Sequence, residues 1–122
     1  MAIASASLTS LSFLFLLPFG LTITSSWGNG HATLWRGLCR ALAREGHAVL
    51  FYEKDVPYYA GNRDLDEVRG GELILYADWP DVRRRAMRDV GDADIAVVTS
   101  YCPDGIEATD PADRIEPTET NE

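Results

Sequence analysis

The sequence contains little cysteine and fewer basic than acidic residues. Cys39 and Cys102 are its two thiols, and neither has the spacing of metal ligands, so no metal site and no disulfide framework is predicted. Eleven Lys and Arg residues stand against nineteen Asp and Glu residues, which gives a formal net charge of -8. Because an acidic chain repels phosphates, we do not expect nucleic acid as a partner.

A long hydrophobic run is also missing. The segment Leu11–Leu17 is nearly all apolar, but crossing a bilayer takes about 20 apolar residues, so no transmembrane span is predicted. The run fits either a signal peptide, which would make the protein secreted and residues 1–20 its leader, or a buried first strand of a parallel sheet. No Lys or Arg precedes it, which favours the strand and a cytoplasmic protein. Since Pro18 suits a central strand poorly, the strand should end at Leu17 or start again after Pro18.

Three common ligand-binding and catalytic motifs are incomplete or absent. No G-K-[S/T] sequence of a Walker A loop occurs. Gly28 and Gly30 supply the G-x-G of a dinucleotide fingerprint and Glu53 lies at a suitable distance, but Thr33 occupies the position of the third glycine. Ser100 lacks the G-x-S-x-G frame of a nucleophile elbow. The sequence therefore predicts neither dinucleotide binding nor hydrolysis by an activated serine.

One amphipathic helix is the clearest element. Leucines recur at four-residue steps with Trp35 and Cys39 beside them, and arginines recur at the same step on the opposite face. The leucines are Leu34, Leu38 and Leu42, and the arginines are Arg36, Arg40 and Arg44. This pattern predicts a helix with a buried apolar stripe and a solvated back. Asn29 or Gly30 can cap its start, and Gly46 is its expected end.

Further strands and a second helix are predicted after this helix. The segments Ala48–Tyr52 and Leu73–Tyr76 have the composition of buried strands. A second helix should run from an N-cap at Asp78 to Gly91, and the segment Ile95–Thr99 is a last strand. The order β-α-β-β-α-β predicts the α/β class, with a partial doubly wound (Rossmann-like) parallel sheet.

The domain boundaries follow from composition. Residues 1–10 are an N-terminal extension, residues 11–106 form one incomplete domain, and residues 107–122 form an acidic tail that we expect to be disordered. The chain is expected to stop just after a strand without adding the next helix, which leaves the sheet unfinished. An unfinished sheet has an open edge, and an open edge favours self-association.

The polar, glycine-broken segment 24–31 lies where the first strand should lead into the helix. Open α/β sheets bind their ligands with loops in this position. His31 begins the helix, whose dipole disfavours the imidazolium, so a neutral His31 could act as a general base or could simply cap and pack at the helix start. Trp27 is either a core residue or a stacking platform for a sugar. Its polar neighbours are Ser25, Ser26 and Asn29.

Several strings resemble the start of bacterial glycosyltransferases of the CgeB-like, GT-B type. They are GLTITSSWGNGHAT at 20–33, the arginine and leucine pattern of the helix at 36–42, EKDVPYYA at 53–60 and SYCPDG at 100–105. The resemblance covers residues 19–105. It implies two Rossmann-like domains that face each other across a cleft. The N-terminal domain would receive the acceptor, and the C-terminal domain would hold most of the nucleotide-sugar donor.

The resemblance also implies roles for individual residues. His31 becomes the candidate catalytic base on the acceptor hydroxyl. The implied substrate-binding residues are Ser25, Ser26, Trp27, Gly28, Asn29, Gly30, Asp55, Tyr58, Ser100, Tyr101 and Asp104. No permanently bound cofactor is implied, because the nucleotide sugar is a co-substrate. The expected partner is a small-molecule or glycan acceptor.

Two functional interpretations follow. In the first, the chain is the acceptor-side domain of a glycosyltransferase that moves a sugar from a nucleotide-sugar donor to an acceptor hydroxyl. Because the donor-binding C-terminal domain of that family is absent from the sequence, we expect a truncated form that is inactive alone. In the second interpretation, the chain is a small non-catalytic α/β module that binds a ligand or another protein.

Overall fold

The protein forms a parallel sheet with helices on both faces, which confirms the predicted α/β class. The computed structural model describes residues 13–27, 30–99 and 101–110. In chain order the elements are β1 Phe15–Phe19, α1 His31–Arg44, β2 Ala48–Lys54, α2 Pro57–Ala60, β3 Glu72–Tyr76, α3 Trp79–Asp92, β4 Ile95–Val98 and α4 Pro103–Thr109. Within these ranges no helix combines the length and the apolar character that crossing a membrane requires.

The four strands lie side by side in the order β3-β2-β1-β4, and their pairings are parallel. β1 therefore has β2 on one side and β4 on the other. The chain builds the sheet outward from β1 through β2 to β3, and then crosses back to place β4 on the free side of β1. In open α/β sheets, the loops part at such a switch point and leave a crevice for a ligand.

Two short helices distinguish the observed element order from the predicted one. The expected order β-α-β-β-α-β lacked both α2 and α4. The expectation of no helix after β4 is therefore wrong, and α4 continues to Thr109, past the boundary expected at residue 106. Both helices have a proline in their first turn, where the missing N–H breaks no helical hydrogen bond. The predicted extension 1–10 and the tail from residue 111 onward lie outside the described residues.

β1 continues through Pro18. The strand spans Phe15–Phe19, so the expectation that it would end at Leu17 or restart after Pro18 is wrong. Pro18 has Val97 of β4 as its register partner, whereas the β1–β2 register contains residues 15, 16 and 19. Alternate residues of a parallel strand bond to alternate neighbouring strands, and the Gly20 N–H bonds to Tyr52 of β2. The missing N–H of Pro18 therefore removes one bond to β2 and leaves the pairing with β4 intact.

α3 and α4 cover one face of the sheet. The core beneath them contains Leu17 of β1 and Met87 of α3. The Glu107 carboxylate of α4 accepts hydrogen bonds from the side chains of Trp79, at 2.9 Å, and Arg83, at 2.6 Å, both on α3. These bonds fasten α4 to α3 above the sheet.

α1 packs on the opposite face, with only part of its apolar stripe against the sheet. Trp35 and Cys39 are buried, whereas Leu34 is 75% exposed and Leu38 is 50% exposed. The prediction that the leucine row is buried is therefore wrong for these two residues. The reason is that α1 packs on Val49 and Phe51 of β2, with Leu73 of β3 beside them, and no described element covers the face of β4 beside its leucine flank.

Candidate functional site at the carboxyl edge of the sheet

A cleft of about 120 Å³ opens at the carboxyl edge of the sheet, where the loops after β1 and β4 part. Gly20 and Leu21 form its floor directly after β1. A Cβ atom at position 20 would overlap the rings of Trp35 and Phe51. Glycine at this position therefore allows the end of β1 to lie close to α1, which sets the shape of the cleft.

Four tyrosines line this cleft. Tyr52 and Tyr76 come from β2 and β3, Tyr59 comes from α2, and Tyr101 follows β4. The Tyr76 hydroxyl donates a hydrogen bond to Asp104 at 2.9 Å. Burial, followed by the contact with Asp104, raises the pKa of Tyr76 above its usual range. At neutral pH the Tyr76 side chain therefore stays an uncharged phenol.

The loop after β1 is held by the Glu53 carboxylate, which is completely buried. Its Oε1 accepts hydrogen bonds from the N–H groups of Ile23, at 2.7 Å, and Thr24, at 3.1 Å. Its Oε2 accepts hydrogen bonds from the hydroxyls of Thr22, at 3.0 Å, and Thr24, at 2.7 Å. Glu53 occupies the position of the acid in the half-matched dinucleotide fingerprint, but both of its oxygens serve the protein's own loop.

Arg36 holds the same loop from the side of α1. Its Nε donates to the Ile23 carbonyl at 2.8 Å, and its guanidinium pairs with Asp64 at 2.6 Å. The Arg36 guanidinium, with the Ser26 hydroxyl, holds the pKa of Asp64 well below its usual range. The expectation that Arg36 lies on a solvated back of the helix is therefore wrong.

Arg63 completes this support from the irregular segment before β3. Its Nε donates to the Thr24 hydroxyl at 3.0 Å, and its guanidinium pairs with Asp55 at 3.0 Å. The Thr24 hydroxyl thus donates to Glu53 and accepts from Arg63. Because no buried side-chain N or O atom of the described residues lacks a hydrogen-bond partner, the first half of the loop is fixed before any ligand arrives.

The two serines of the predicted binding loop bond to the irregular segment before β3. Ser25 is completely buried, and its hydroxyl donates to the Asn62 carbonyl at 2.8 Å. The Ser26 hydroxyl donates to Asp64 at 2.6 Å. The structure therefore places both hydroxyls in contacts with the segment before β3, away from the lining of the cleft.

The rest of that loop lies at the start of α1. Trp27 is 56% exposed, and Gly30 is the N-cap residue of α1 without a side chain to donate or accept. The predicted binding residues Gly28, Asn29 and Ser100 lie outside the described part of the chain.

His31 is the first residue of α1, as the sequence predicts. It lines a neighbouring groove of about 230 Å³ together with Leu34 and Leu38, and it is not among the residues that line the cleft. Its ring meets the ring of Tyr101 edge-on, with the centroids 6.4 Å apart. Tyr101 is thus the residue that connects the cleft to the imidazole.

The predicted binding residues after β2 and β4 divide into two groups. Tyr101 and Asp104 line the cleft. Asp55 pairs with Arg63, and Tyr58 is 56% exposed and packs edge-on against its neighbour Tyr59 at 5.1 Å between centroids. The structure therefore brings Tyr101 and Asp104 to one place and leaves Asp55 and Tyr58 out of the cleft lining.

Among the residues that line the cleft, sequence reasoning identified Tyr101 and Asp104 and missed the others, including Lys54, Tyr59 and Tyr76. Lys54 ends β2 and Tyr76 ends β3. Because the carboxyl ends of parallel strands meet at one edge, the ends of these two strands were a signal that could have identified both residues. No comparable signal separates Tyr59 from the adjacent Tyr58.

The two thiols are poorly suited to nucleophilic chemistry. Burial raises the pKa of Cys39 to about 11. Burial also raises the pKa of Cys102, which lines the cleft. Both side chains therefore stay protonated at neutral pH, and the thiol is a weak nucleophile. In the part of the chain that the structure describes, no group of three His, Cys, Asp or Glu side chains is arranged to hold a metal ion.

Comparisons with known proteins returned no match. No protein-family model, no curated protein and no solved structure matches this chain. The cleft and its tyrosines are therefore the observations on which a functional proposal rests.

Proposed function

We propose that this chain is the acceptor-side domain of a glycosyltransferase, and that the tyrosine-lined cleft receives an acceptor with a free hydroxyl group. The acceptor oxygen would attack the anomeric carbon of a nucleotide sugar, its proton would pass to a base, and the nucleoside diphosphate would leave. The observation that carries the proposal is the aromatic cleft at the switch point of the sheet.

The lining of the cleft suits a polyhydroxylated ligand. The rings of Tyr59 and Tyr101 offer flat apolar faces with a polar tip, and Lys54 offers a charged donor. The Tyr76 hydroxyl bonds to one oxygen of Asp104, which leaves the other oxygen as an acceptor for a ligand hydroxyl. Stacking together with a few placed polar groups is what fixes the orientation of a small ligand.

His31 is the base in this proposal. An acceptor stacked on Tyr101 would hold a hydroxyl near the imidazole, because the two rings are in edge-on contact. A neutral imidazole within hydrogen-bonding distance of a hydroxyl can remove its proton during attack. His31 would thus act at the rim of the cleft.

A second candidate is a non-catalytic binding module. One observation favours it: of the described residues that line the cleft, none is a histidine and the single acid, Asp104, already accepts a hydrogen bond from Tyr76. A cleft whose acid already accepts a hydrogen bond from the protein can bind a ligand without catalysing a reaction. Such a module would bind small aromatic molecules at least as readily as sugars.

An NMR titration of the ¹⁵N-labelled chain distinguishes these candidates. The glycosyltransferase proposal expects monosaccharides to shift the amide signals of Gly20, Leu21, Tyr59 and Tyr101, and it expects no sugar transfer by the chain alone. Shifts at the same amides with nucleosides but not with sugars would support the binding module instead. Shifts confined to other parts of the sheet would contradict both candidates.

A pair of exposed aromatic residues provides the matched variants. Tyr101 is 69% exposed after β4, and Phe13 is 68% exposed before β1, at the opposite edge of the sheet. Tyr101→Ala should weaken sugar binding about tenfold, because it removes one stacking ring. Phe13→Ala should leave binding unchanged. Equal effects of the two variants would show that the cleft is not the binding site.

A further inference from the structure

A second groove lies on the flank of α1 that faces away from β4. Two adjoining hollows of about 320 Å³ and 350 Å³ meet there. Arg40 and Arg69 line both hollows, Arg36 lines the first and Arg44 lines the second. We call this surface, defined by Arg36, Arg40, Arg44 and Arg69, the arginine groove.

The backbone before β3 is built to bring Arg69 next to α1. Gly70 has a φ of +75°, and a Cβ atom there would lie 2.5 Å from the Cβ atom of Ala43 on α1. Only glycine tolerates both the conformation and the close approach. Val68, on the other side of Arg69, is buried in the core under α1. The fold itself therefore places a fourth arginine opposite the helical row.

The charges of the groove are poorly balanced by the chain. Arg36 pairs with Asp64, but none of the described acids forms an ion pair with Arg40, Arg44 or Arg69, and all three are exposed. Glu67 is the acid that lines the groove. Arginines four residues apart on a helix repel one another. The chain has a net charge of -8, and this local excess of positive charge favours the binding of an anion.

We propose that the arginine groove binds a small ligand with two linked phosphate groups. Each hollow is lined by three arginines, so two adjoining phosphates could each occupy one hollow. The planar guanidinium matches a phosphate with two parallel hydrogen bonds, which makes arginine the preferred residue for this recognition. Ile23, Leu65 and Val68 form an apolar floor in the first hollow for the rest of the ligand.

This site is separate from the proposed acceptor cleft. Arg44 ends α1 and Arg69 lies shortly before β3 begins, so the groove extends toward the amino edge of the sheet. The cleft lies at the carboxyl edge. The proposal therefore does not depend on glycosyl transfer, and each of the two proposals can fail without the other.

Calorimetric titration with inorganic pyrophosphate at constant ionic strength tests the proposal. Arg40→Gln and Arg69→Gln should each weaken binding at least about tenfold, because each removes a charged donor shared by both hollows. The matched control is Arg84→Gln, which makes the same charge change at an exposed position of α3. This control should bind pyrophosphate as the unchanged chain does.

Glu67→Gln gives a test of opposite sign. Removing the acid that lines the groove should tighten pyrophosphate binding several-fold, and a gain in affinity cannot result from unfolding. The proposal would be overturned by no measurable binding, by equal weakening in Arg84→Gln, or by citrate binding as tightly as pyrophosphate. Binding to phosphatidylserine vesicles without binding to pyrophosphate would likewise overturn it, because it would assign the groove to a membrane surface.

Discussion

The Glu53 carboxylate accepts four hydrogen bonds from residues 22–24 while it is completely buried. A buried charge is tolerated only when its hydrogen-bonding capacity is satisfied, and here the backbone and hydroxyl groups of one loop satisfy it. Together with Arg36 and Arg63, this side chain near the end of β2 therefore determines the path of the chain after β1. The floor of the cleft at Gly20 and Leu21 comes directly before this loop.

Glu53→Gln should lower the free energy of unfolding by about 2 kcal/mol. The amide group places a donor where the Thr22 and Thr24 hydroxyls now find an acceptor. Urea unfolding measures the change. Glu72→Gln removes the same charge at an exposed position of β3 and should change stability by less than about 0.5 kcal/mol. Identical urea midpoints for the two variants would contradict a structural role of the Glu53 hydrogen bonds.

Individual residues also show which parts of the site could be predicted from the sequence and which could not. The resemblance implied that Tyr101 and Asp104 bind substrate, and both line the cleft. Ser25 and Ser26 lie in an equally suitable position, but their hydroxyls bond to residues 62 and 64. Residues 62 and 64 belong to an irregular segment. No periodicity in the sequence could reveal that this segment folds back onto the loop.

At the level of elements, apolar composition predicted the four strands and periodicity predicted the two long helices, but neither predicted how α1 is rotated. The apolar residues of α1 cover a wide arc, and either half of that arc could face the sheet. Trp35 and Cys39 are buried while Leu34 and Leu38 are exposed, because α1 lies over β2 and β3. The rotation of a helix thus depends on what covers the neighbouring strand, which is a property of the assembled sheet.

β1 lacks one backbone hydrogen bond at Pro18, and a substitution can supply it. The Gly20 N–H donates to the Tyr52 carbonyl at 3.3 Å, so by the two-residue period of the strand an N–H at position 18 would face the Leu50 carbonyl. Pro18→Val should therefore raise the free energy of unfolding by about 1 kcal/mol, since it supplies this bond and keeps a buried apolar side chain.

Urea unfolding and hydrogen exchange check this prediction. The new amide at position 18 should be strongly protected from exchange, because β1 is a central strand. Pro80→Ala is the control, since Pro80 lies in the first turn of α3, where an N–H gains no helical partner. A less stable Pro18→Val chain, or an unprotected amide at position 18, would show that the ring of Pro18 contributes more than the missing bond.

The helices cover the two faces of the sheet unevenly. α3 and α4 pack on one face of the sheet, but on the other face α1 leaves the side chains of β4 exposed, with Ile95 at 44% and Val97 at 38%. The exposed Leu34 and Leu38 belong to the flank of α1 whose groove also contains Thr99, just beyond β4. β4 is in addition one of the two edge strands of the described sheet. An exposed apolar face beside an open edge favours association with another sheet.

We expect the chain to self-associate through this face of β4 in a concentration-dependent way. Val97→Lys should weaken the association constant at least about tenfold, because a lysine on an edge strand opposes strand pairing and apolar contact together. Sedimentation velocity over a range of concentrations measures the effect. Ile106→Lys makes the same charge change at a 55% exposed residue of α4, so it should associate as the unchanged chain does. A chain that stays monomeric throughout, or equal dissociation by both variants, would show that β4 is not the contact surface.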